Sequence, residues 1–372
     1  MPIVKTGIAF IGCGFVADYY AATIDKYTDI ELIGVYDKDR ERLKKFTDYY
    51  DLNAFDSLQD LLDDKSIKVV LNLTDPRSHY KISLQCLEFN KHVYSEKPLA
   101  MSYEEAKGLV MTAKQKGLLV SCAPCSVLGK AAKTLAYAME NKICGDVKLV
   151  YAELDDGMVH RMAYKSWYSE SGAPWPYRDE FETGCTLEHS GYYLSWLIRM
   201  FGAVESVTAY SDCLIKDKVP SEPELQPNDT ADFSVGILRF ESGIVARLTT
   251  TIVARHDHTI RIFGDNGVVS LRECWDNNEK VYFNKMIRIR RKTFISPVSR
   301  RVKTPYMIKV NKLSRGNTKM DFMLGVSDLV DAINGGTDQM LTPQFSLHVN
   351  EVALALQCAG KDSSTYFTKS RF

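Results

Sequence analysis

Glu96 and Lys97 are the first residues whose types and spacing suggest chemistry. They follow a short apolar run and precede a proline, Pro98. A lysine ammonium at such a position stabilises negative charge that develops on a reacting oxygen. We therefore predict that Lys97 lies where a cofactor and a substrate meet.

A second set of candidate groups lies between residues 167 and 193. His189 precedes Tyr192 by three residues, so both side chains lie on the same face of a helix. Either one could exchange a proton with a substrate, and Tyr193 is a third candidate, so the sequence leaves this choice open. Aromatic faces and charged neighbours suit a binding site for a sugar-like ring. The predicted substrate-binding residues are Lys97, Cys125, Trp167, Trp175, Arg178, Glu188, His189 and Tyr192.

The domain that must position Lys97 begins with a strand and a glycine loop. An apolar run over residues 6–11 leads directly into Gly12-Cys13-Gly14-Phe15-Val16-Ala17 and a helical pattern to about residue 26. This is G-x-G-x-x-A in a strand-turn-helix setting. The first glycine permits the tight turn, the second lets the backbone approach a pyrophosphate, and the helix N-terminus supplies N–H groups. We predict that residues 12–16 bind a dinucleotide.

Asp37 ends the second predicted strand, where a ribose-binding acid is expected. A carboxylate there accepts both ribose hydroxyls and repels a 2′-phosphate, which favours NAD over NADP. Lys38 and Arg40 weaken that inference because they could pair with the phosphate. NAD is therefore the expected cofactor, with NADP possible.

The third predicted strand, over residues 68–74, opens into a loop that contains Pro76 and His79. Loops at the carboxyl ends of parallel strands line the crevice where ligands bind. Thr74, Pro76 and His79 are therefore predicted to contact the cofactor. For His79, a structural role in local packing on the helix face is an equally good interpretation.

The length of 372 residues exceeds one ordinary core and predicts two domains. Residues 1–124 alternate strands with helices and predict a doubly wound parallel α/β domain of the Rossmann type, and residues 125–372 predict an α+β domain with an open, mostly antiparallel sheet. Its strands are expected over residues 146–153, 206–210, 231–240, 244–252, 259–263 and 268–272, and helices over 126–140 and 321–334.

Bulk composition excludes several classes of function. Lys plus Arg (47) equals Asp plus Glu (47), which gives no argument for a nucleic-acid partner. No apolar run reaches bilayer length, no leader pattern opens the chain, and nine cysteines lack a disulfide-scaffold spacing, so a cytoplasmic protein is expected. No metal-ligand spacing was found, so no metal is expected. A fifth strand of the first domain is predicted over residues 117–120. After it, Cys122 and Cys125 could form a redox pair, although pocket lining is the favoured interpretation.

The first half resembles the glucose-fructose oxidoreductase, inositol dehydrogenase and rhizopine-catabolism family (Gfo/Idh/MocA). The resemblance is carried by Gly12-Cys13-Gly14, Asp37, Thr74, Pro76, His79 and above all Glu96-Lys97-Pro98, and more weakly by Asp229-Thr230-Ala231, the hairpin over residues 239–243 and the final helix. It implies that Lys97 lies beside the nicotinamide and hydrogen-bonds the reacting hydroxyl or carbonyl. The family's Asp-x-Gly-x-His-x-x-Asp helix aligns with Glu188, Ser190, Tyr192 and Ser195, so tyrosine replaces the usual histidine.

The resemblance implies an NAD(P)-dependent dehydrogenase or reductase that acts on a secondary alcohol or ketone of a sugar, cyclitol or nucleotide sugar. Two alternatives stay open: a redox-neutral, NAD-dependent lyase or glycosidase-type enzyme, and a sensor that binds the cofactor without turnover. A homodimer or homotetramer through the second sheet is also expected. The basic segment 285–303 is interpreted as an exposed strand pair or an oligomer contact, with anion binding as the alternative.

Overall fold

The structure is a computed structural model, and it describes residues 5–219, 230–304, 319–336 and 339–372. The start of the chain, on which the expected lack of a leader depends, and Asp229 of the Asp-Thr-Ala motif lie outside these ranges. Within them, no helix is long and apolar enough to cross a bilayer.

The first sheet has five parallel strands in the order β2-β1-β3-β4-β5. Helices lie between the strands in sequence, so the predicted doubly wound parallel α/β fold is confirmed. The strands are β1 (Thr6–Ile11), β2 (Ile30–Tyr36), β3 (Ile67–Asn72), β4 (His92–Ser95) and β5 (Val120–Cys122), and the helices are α1 (Ala17–Ala21), α2 (Arg40–Tyr50), α3 (Leu58–Asp63), α4 (His79–Glu88) and α5 (Tyr103–Lys116).

Two element boundaries in this half differ from the sequence-based prediction. The helix expected up to residue 26 ends at Ala21, and a short 3-10 turn, Ile24–Lys26, follows it. The fifth strand, expected over residues 117–120, is displaced toward Cys122 because Gly117 takes a left-handed φ of 67° and ends α5.

The second sheet has nine strands in the order β13-β12-β11-β10-β6-β9-β8-β7-β14. Among the strands that the structure describes, only β6 and β9 run parallel to each other, so the prediction of a mostly antiparallel sheet is confirmed. Its strands are β6 (Val147–Asp155), β7 (Val204–Asp212), β8 (Phe233–Phe240), β9 (Val245–Thr251), β10 (Ile260–Gly264), β11 (Gly267–Leu271), β12 (Tyr282–Ile289), β13 (Lys292–Arg301) and β14 (Thr365–Phe367).

The basic segment forms the β12–β13 hairpin at one edge of this sheet, and most of its side chains are exposed. The strand-pair interpretation is therefore confirmed.

Six further α-helices follow β5 in the described part of the chain. They are α6 (Lys130–Glu140), α7 (Tyr177–Thr183), α8 (Cys185–His189), α9 (Gly191–Phe201), α10 (Met323–Ile333) and α11 (Pro343–Gln357). The predicted helix 126–140 begins as a 3-10 turn, Cys125–Leu128, and becomes α-helical at Lys130. Further 3-10 turns lie at Pro76–Ser78, Val159–Arg161 and Tyr164–Ser166.

The last two helices return to the first sheet. At Gly325 in α10, a built Cβ atom would lie 2.2 Å from the hydroxyl of Tyr94 on β4, so the helix backbone packs directly on that strand. α11 was not predicted from the sequence, and it packs against both α5 and the α8–α9 pair. The domain division at residue 124 stays a prediction.

Candidate active site

The glycine loop has the geometry that a dinucleotide requires. Gly12 has a φ of 101°, and a Cβ there would lie 2.5 Å from the carbonyl oxygen of Leu73, so only glycine fits. A Cβ built on Gly14 meets no atom within 4 Å, which leaves open space above the loop. The N–H groups of Gly14, Phe15 and Val16 have no hydrogen-bond acceptor among the described residues. This loop therefore fits a pyrophosphate.

Asp37 is buried behind the loop and accepts four hydrogen bonds. The Cys13 N–H lies 2.8 Å from one carboxylate oxygen and the Asp39 N–H 2.8 Å from the other, and Arg42 donates through Nε and Nη2 at 2.8 and 2.9 Å. Burial raises the pKa of Asp37, but Arg42 and the two N–H groups outweigh burial and lower it overall. Lys38 is exposed next to it. The carboxylate is thus ionised and fixed at the loop.

The loop after β3 is tied to the strand end that carries Lys97. His79 Nδ1 lies 2.6 Å from the carbonyl oxygen of Pro98, and Nε2 lies 3.0 Å from that of Thr74. The Thr74 hydroxyl donates to Asn72 at 2.7 Å, and Pro76 begins a 3-10 turn. Burial lowers the pKa of His79 against the opposing effect of these two carbonyl groups. Its place between two carbonyl groups favours the packing alternative; its cofactor contact stays a prediction.

Glu96 and Lys97 end β4 in different environments. The Glu96 carboxylate is buried and accepts hydrogen bonds from the Tyr20 hydroxyl at 2.6 Å and the Lys97 N–H at 3.1 Å. Lys97 Nζ forms an ion pair with Glu188, and the two side chains are 20% and 7% exposed. The pair joins the end of the first sheet to α8.

The pKa values of this pair are shifted in the same direction. Burial lowers the pKa of Lys97, but the negative charges around it, Glu188 first, outweigh burial and raise it overall. Burial raises the pKa of Glu188 to about 7 against the opposing effect of Lys97, and Glu180 raises it further. Lys97 is therefore an ammonium at neutral pH, and its partner can change protonation state there.

Helix α11 sets the spacing of this pair. In the middle of the helix, the Asn350 side chain exchanges hydrogen bonds with the backbone of Ala100, at 3.4 and 3.2 Å. At its end, Gln357 accepts from the Leu187 N–H at 2.8 Å and donates to the Thr183 carbonyl at 2.6 Å. One helix thus holds the segment after Lys97 and the segment before Glu188.

Three candidate proton-transfer residues occupy different environments. His189 has both ring nitrogens engaged, Nδ1 by Asp156 and Nε2 by Glu180 at 2.8 Å. Burial lowers its pKa, but these two carboxylates raise it overall to about 10, so the ring is an imidazolium.

The two tyrosines also differ. Tyr193 is fully buried and donates its hydroxyl to the carbonyl of His258. Tyr192 is partly exposed, and its hydroxyl has no hydrogen-bond partner among the described residues. Burial raises the pKa of Tyr192, with Lys97 acting in the opposite direction, so the phenol keeps its proton. Of the three candidates, Tyr192 alone has a free donor.

The remaining predicted substrate residues differ in their contacts and exposure. Trp167 and Trp175 pack against each other with ring centroids 5.0 Å apart, in a separate apolar cluster that includes Phe181. Arg178 is exposed on α7. Cys125 is buried and its thiol donates to the Asp321 carbonyl at 3.3 Å. The roles of these four residues in binding stay predictions.

The thiols of the Cys122 and Cys125 segment are both buried, and burial raises the pKa of each. A thiolate is therefore disfavoured at both positions, which works against the redox alternative.

Sequence reasoning missed two features of the site. Trp275 follows β11 and lies edge-on to both His189 and Tyr192, with ring centroids 6.0 and 5.8 Å away. Asp156 links His189 to a second buried histidine, His258, whose Nε2 is 2.7 Å from the Asp156 carboxylate. The only sequence signal for this cluster was the His256-Asp257-His258 triplet, because its partners lie far away along the chain.

Comparisons with known proteins agree with this architecture. Residues 6–123 match a family model described as an oxidoreductase family with an NAD-binding Rossmann fold, and residues 133–270 match one described as the GFO/IDH/MocA C-terminal domain. Trans-1,2-dihydrobenzene-1,2-diol dehydrogenase of Bos taurus is 23% identical over 253 residues, which cover 68% of this chain and 69% of that protein.

Two solved structures show the same fold over nearly the whole chain. The WlbA dehydrogenase of Bordetella pertussis, in complex with NADH and UDP-GlcNAcA, has a TM-score of 0.73 at 18% identity and covers 98% of this chain and 99% of its own. A lysine-to-alanine variant of a 3-ketoreductase from Actinomadura kijaniata, in complex with TDP-benzene and NADP, has a TM-score of 0.71 at 15% identity and covers 96% and 98%.

Proposed function

This chain belongs to the Gfo/Idh/MocA family of NAD(P)-dependent oxidoreductases, and from that premise we propose that it interconverts a secondary alcohol and a ketone on a sugar, cyclitol or nucleotide sugar. The family acts on alcohol groups. Three relatives support this substrate class: a dehydrogenase in complex with UDP-GlcNAcA, a 3-ketoreductase in complex with TDP-benzene, and a scyllo-inositol 2-dehydrogenase of Bacillus subtilis. When bound, the nicotinamide supplies the hydride acceptor or donor.

The ion pair of Lys97 and Glu188 carries the proposal. During oxidation, the substrate hydroxyl gives its proton to Lys97 Nζ while Lys97 passes a proton to the Glu188 carboxylate. Reduction runs the same transfers backward. The raised pKa of Lys97 keeps it protonated between turnovers, and the pKa of Glu188, about 7, suits a group that takes and returns a proton near neutral pH.

Tyr192 has a different role in this proposal. Its raised pKa keeps the phenol protonated, so the hydroxyl donates a hydrogen bond to the reacting oxygen and stabilises negative charge there. His189 has a structural role, because its two ring nitrogens pair with Asp156 and Glu180 and so link these carboxylates to the end of α8.

We assign NAD as the preferred cofactor because Asp37 is ionised at the glycine loop. Asp37→Ser would remove the repulsion of a 2′-phosphate and free Arg42 to pair with it. The ratio of the Kd values for NADPH and NADH should shift toward NADPH by at least about tenfold, a change of roughly 1.4 kcal/mol. An unchanged ratio in equilibrium fluorescence titrations would contradict this assignment.

The test of function measures NADH formation from NAD with a panel of free sugars, inositols and nucleotide sugars. Lys97→Met should abolish turnover, and the exposed-surface variant Lys44→Met should not. Tyr192→Phe should lower the single-turnover rate about 10²–10³-fold, as loss of one donor to a developing oxyanion does. Tyr103→Phe, on α5, is the matched control. Tight NAD binding without turnover on any compound would overturn the proposal.

We also propose a homodimer or homotetramer that forms through the second sheet, in the cytoplasm. Ile237 on β8 and Phe367 on β14 are 44% and 68% exposed, which gives that sheet apolar surface to bury. All nine cysteines are free, as in a reducing compartment. Light scattering would measure a monomer mass if this assembly does not form.

A further inference from the structure

We propose that His258, Glu273 and Cys274 form a zinc site beside the active site. His258 Nδ1 lies 2.7 Å from a Glu273 carboxylate oxygen and 3.9 Å from Cys274 Sγ, and one ligand atom from each residue lies within 4.8 Å of the others. Zinc binds imidazole, thiolate and carboxylate at about 2.0–2.3 Å, which places tetrahedral ligand atoms roughly 3–4 Å apart. The three donors therefore need little movement to hold the ion.

Strand register brings these distant residues together. β10 and β11 form a hairpin in which Ile260 is opposite Leu271, so two residues beyond that pair His258 faces Glu273. On the other side of β10, an isolated bridge pairs Asp257 with Asp155 at the end of β6. Asp156 follows directly and therefore reaches the same histidine. The cluster is thus built on the ends of three neighbouring strands, where its geometry is well fixed.

Two further hydrogen bonds orient the proposed ligands. His258 Nε2 lies 2.7 Å from Asp156 Oδ1, and the Trp275 N–H donates to Glu273 Oε1 at 2.9 Å. A histidine that binds a metal through one ring nitrogen almost always donates its other N–H to a carboxylate or carbonyl. Because Nδ1 and Nε2 of His258 each lie 2.7 Å from a carboxylate oxygen, each carries a proton in this structure. Zn²⁺ would replace the Nδ1 proton, while Asp156 would keep the Nε2 proton and so hold Nδ1 toward Glu273 and Cys274.

Burial and charge also suit a divalent cation. The His258 side chain is fully buried, as is Cys274, whereas Glu273 is 24% exposed and the neighbouring His256 is 50% exposed. His256 Nε2 lies 3.2 Å from the second Glu273 oxygen, on the solvent-exposed side of the cluster. Zinc binding would release two protons, one from the Cys274 thiol and one from Nδ1 of His258, and the ion would then balance the thiolate and the Glu273 carboxylate.

The site would be structural, outside the hydride and proton transfers. His258 lies 4.6 Å from Trp275, measured between ring centroids, and Trp275 packs against Tyr192. Asp156 bridges His258 and His189. A bound ion would therefore fix two groups that form one wall of the active site.

The test titrates chelator-treated, full-length protein with Zn²⁺ by calorimetry and with Co²⁺ by absorption. We expect one equivalent to bind, and the Co²⁺ form to show a thiolate-to-cobalt charge-transfer band. Cys274→Ser should remove that band, and Cys358→Ser, at an exposed cysteine, should retain it. Asp156→Asn should weaken Zn²⁺ affinity about 10–100-fold, as loss of an orienting carboxylate does.

Either of two results would overturn the proposal: no saturable binding of one Zn²⁺ per chain, or a charge-transfer band that survives in Cys274→Ser. If Cys274→Ser fails to fold by circular dichroism, Glu273→Gln decides the question. Its side chain is partly exposed, and wild-type Zn²⁺ affinity in that variant would equally refute the site.

Discussion

Replacement of Glu188 by glutamine should abolish the pH dependence that ionisation of this carboxyl gives to the rate of alcohol oxidation near neutral pH. Burial raises the pKa of this carboxyl from its ordinary 4.5 to about 7, and Lys97 limits the rise. Oxidation needs the ionised form, so kcat/KM should increase with pH and level off above 7. The ionised fraction falls from about one half at pH 7 to about one hundredth at pH 5, and kcat/KM should fall about 50-fold with it.

The assay is kcat/KM for NAD reduction from pH 5 to pH 9, with a deuterated substrate to confirm that hydride transfer limits the rate. Glu188→Gln should be slow at every pH and lack the acidic limb of the profile, which is the decrease in kcat/KM below pH 7. Glu182→Gln, which removes a carboxylate from α7 that pairs with Arg77, should keep it. Tyr192→Phe should also keep the limb, at a lower rate. A limb that persists in Glu188→Gln but vanishes in Tyr192→Phe would make Tyr192 the proton acceptor and refute the assignment.

Two further substitutions test how the fold supports the site. Gly325→Ala should lower the free energy of unfolding by about 1–3 kcal/mol, because its Cβ would overlap the Tyr94 hydroxyl. Gly108→Ala, where the nearest atoms lie 3.8 Å from the added Cβ, should not destabilise the protein. Urea unfolding measures both variants. Lys218→Met should cost about 3–5 kcal/mol because it leaves the buried Asp232 carboxylate, 2.8 Å from the lysine Nζ, without its cation. A midpoint within error of the parent protein would contradict either prediction.

Local signals were sufficient for the cofactor half of the molecule. The loop at Gly12 and Gly14 and the strand ending at Asp37 depend on residues adjacent in sequence, and the structure places them as expected. The error at β5 arose because Gly117 reads as the start of a strand in sequence, whereas its left-handed backbone ends a helix. Backbone conformation at a single glycine thus displaced the strand.

The substrate half was harder because its site depends on pairing between distant segments. Periodicity located β6, β10 and β11, but not which residues beyond their ends would face each other. The partnership of Asp156 with His258 follows from that register, and His189 reaches the same carboxylate from α8. The sequence predicted one helix for His189 and Tyr192, whereas His189 ends α8 and Tyr192 lies in α9. The spacing also could not show that Asp156 and Glu180 occupy both ring nitrogens of His189.

The position of α11 in the chain has a consequence for biosynthesis. Its side chains at Asn350 and Gln357 hold the segments next to Lys97 and Glu188, yet α11 follows both members of the ion pair in the chain. On a ribosome, Lys97 and Glu188 therefore emerge long before the helix that sets their distance. Catalytic competence is reached only after α11 has been made, and a chain cut short before residue 343 would carry every proposed proton-transfer residue without the helix that aligns them.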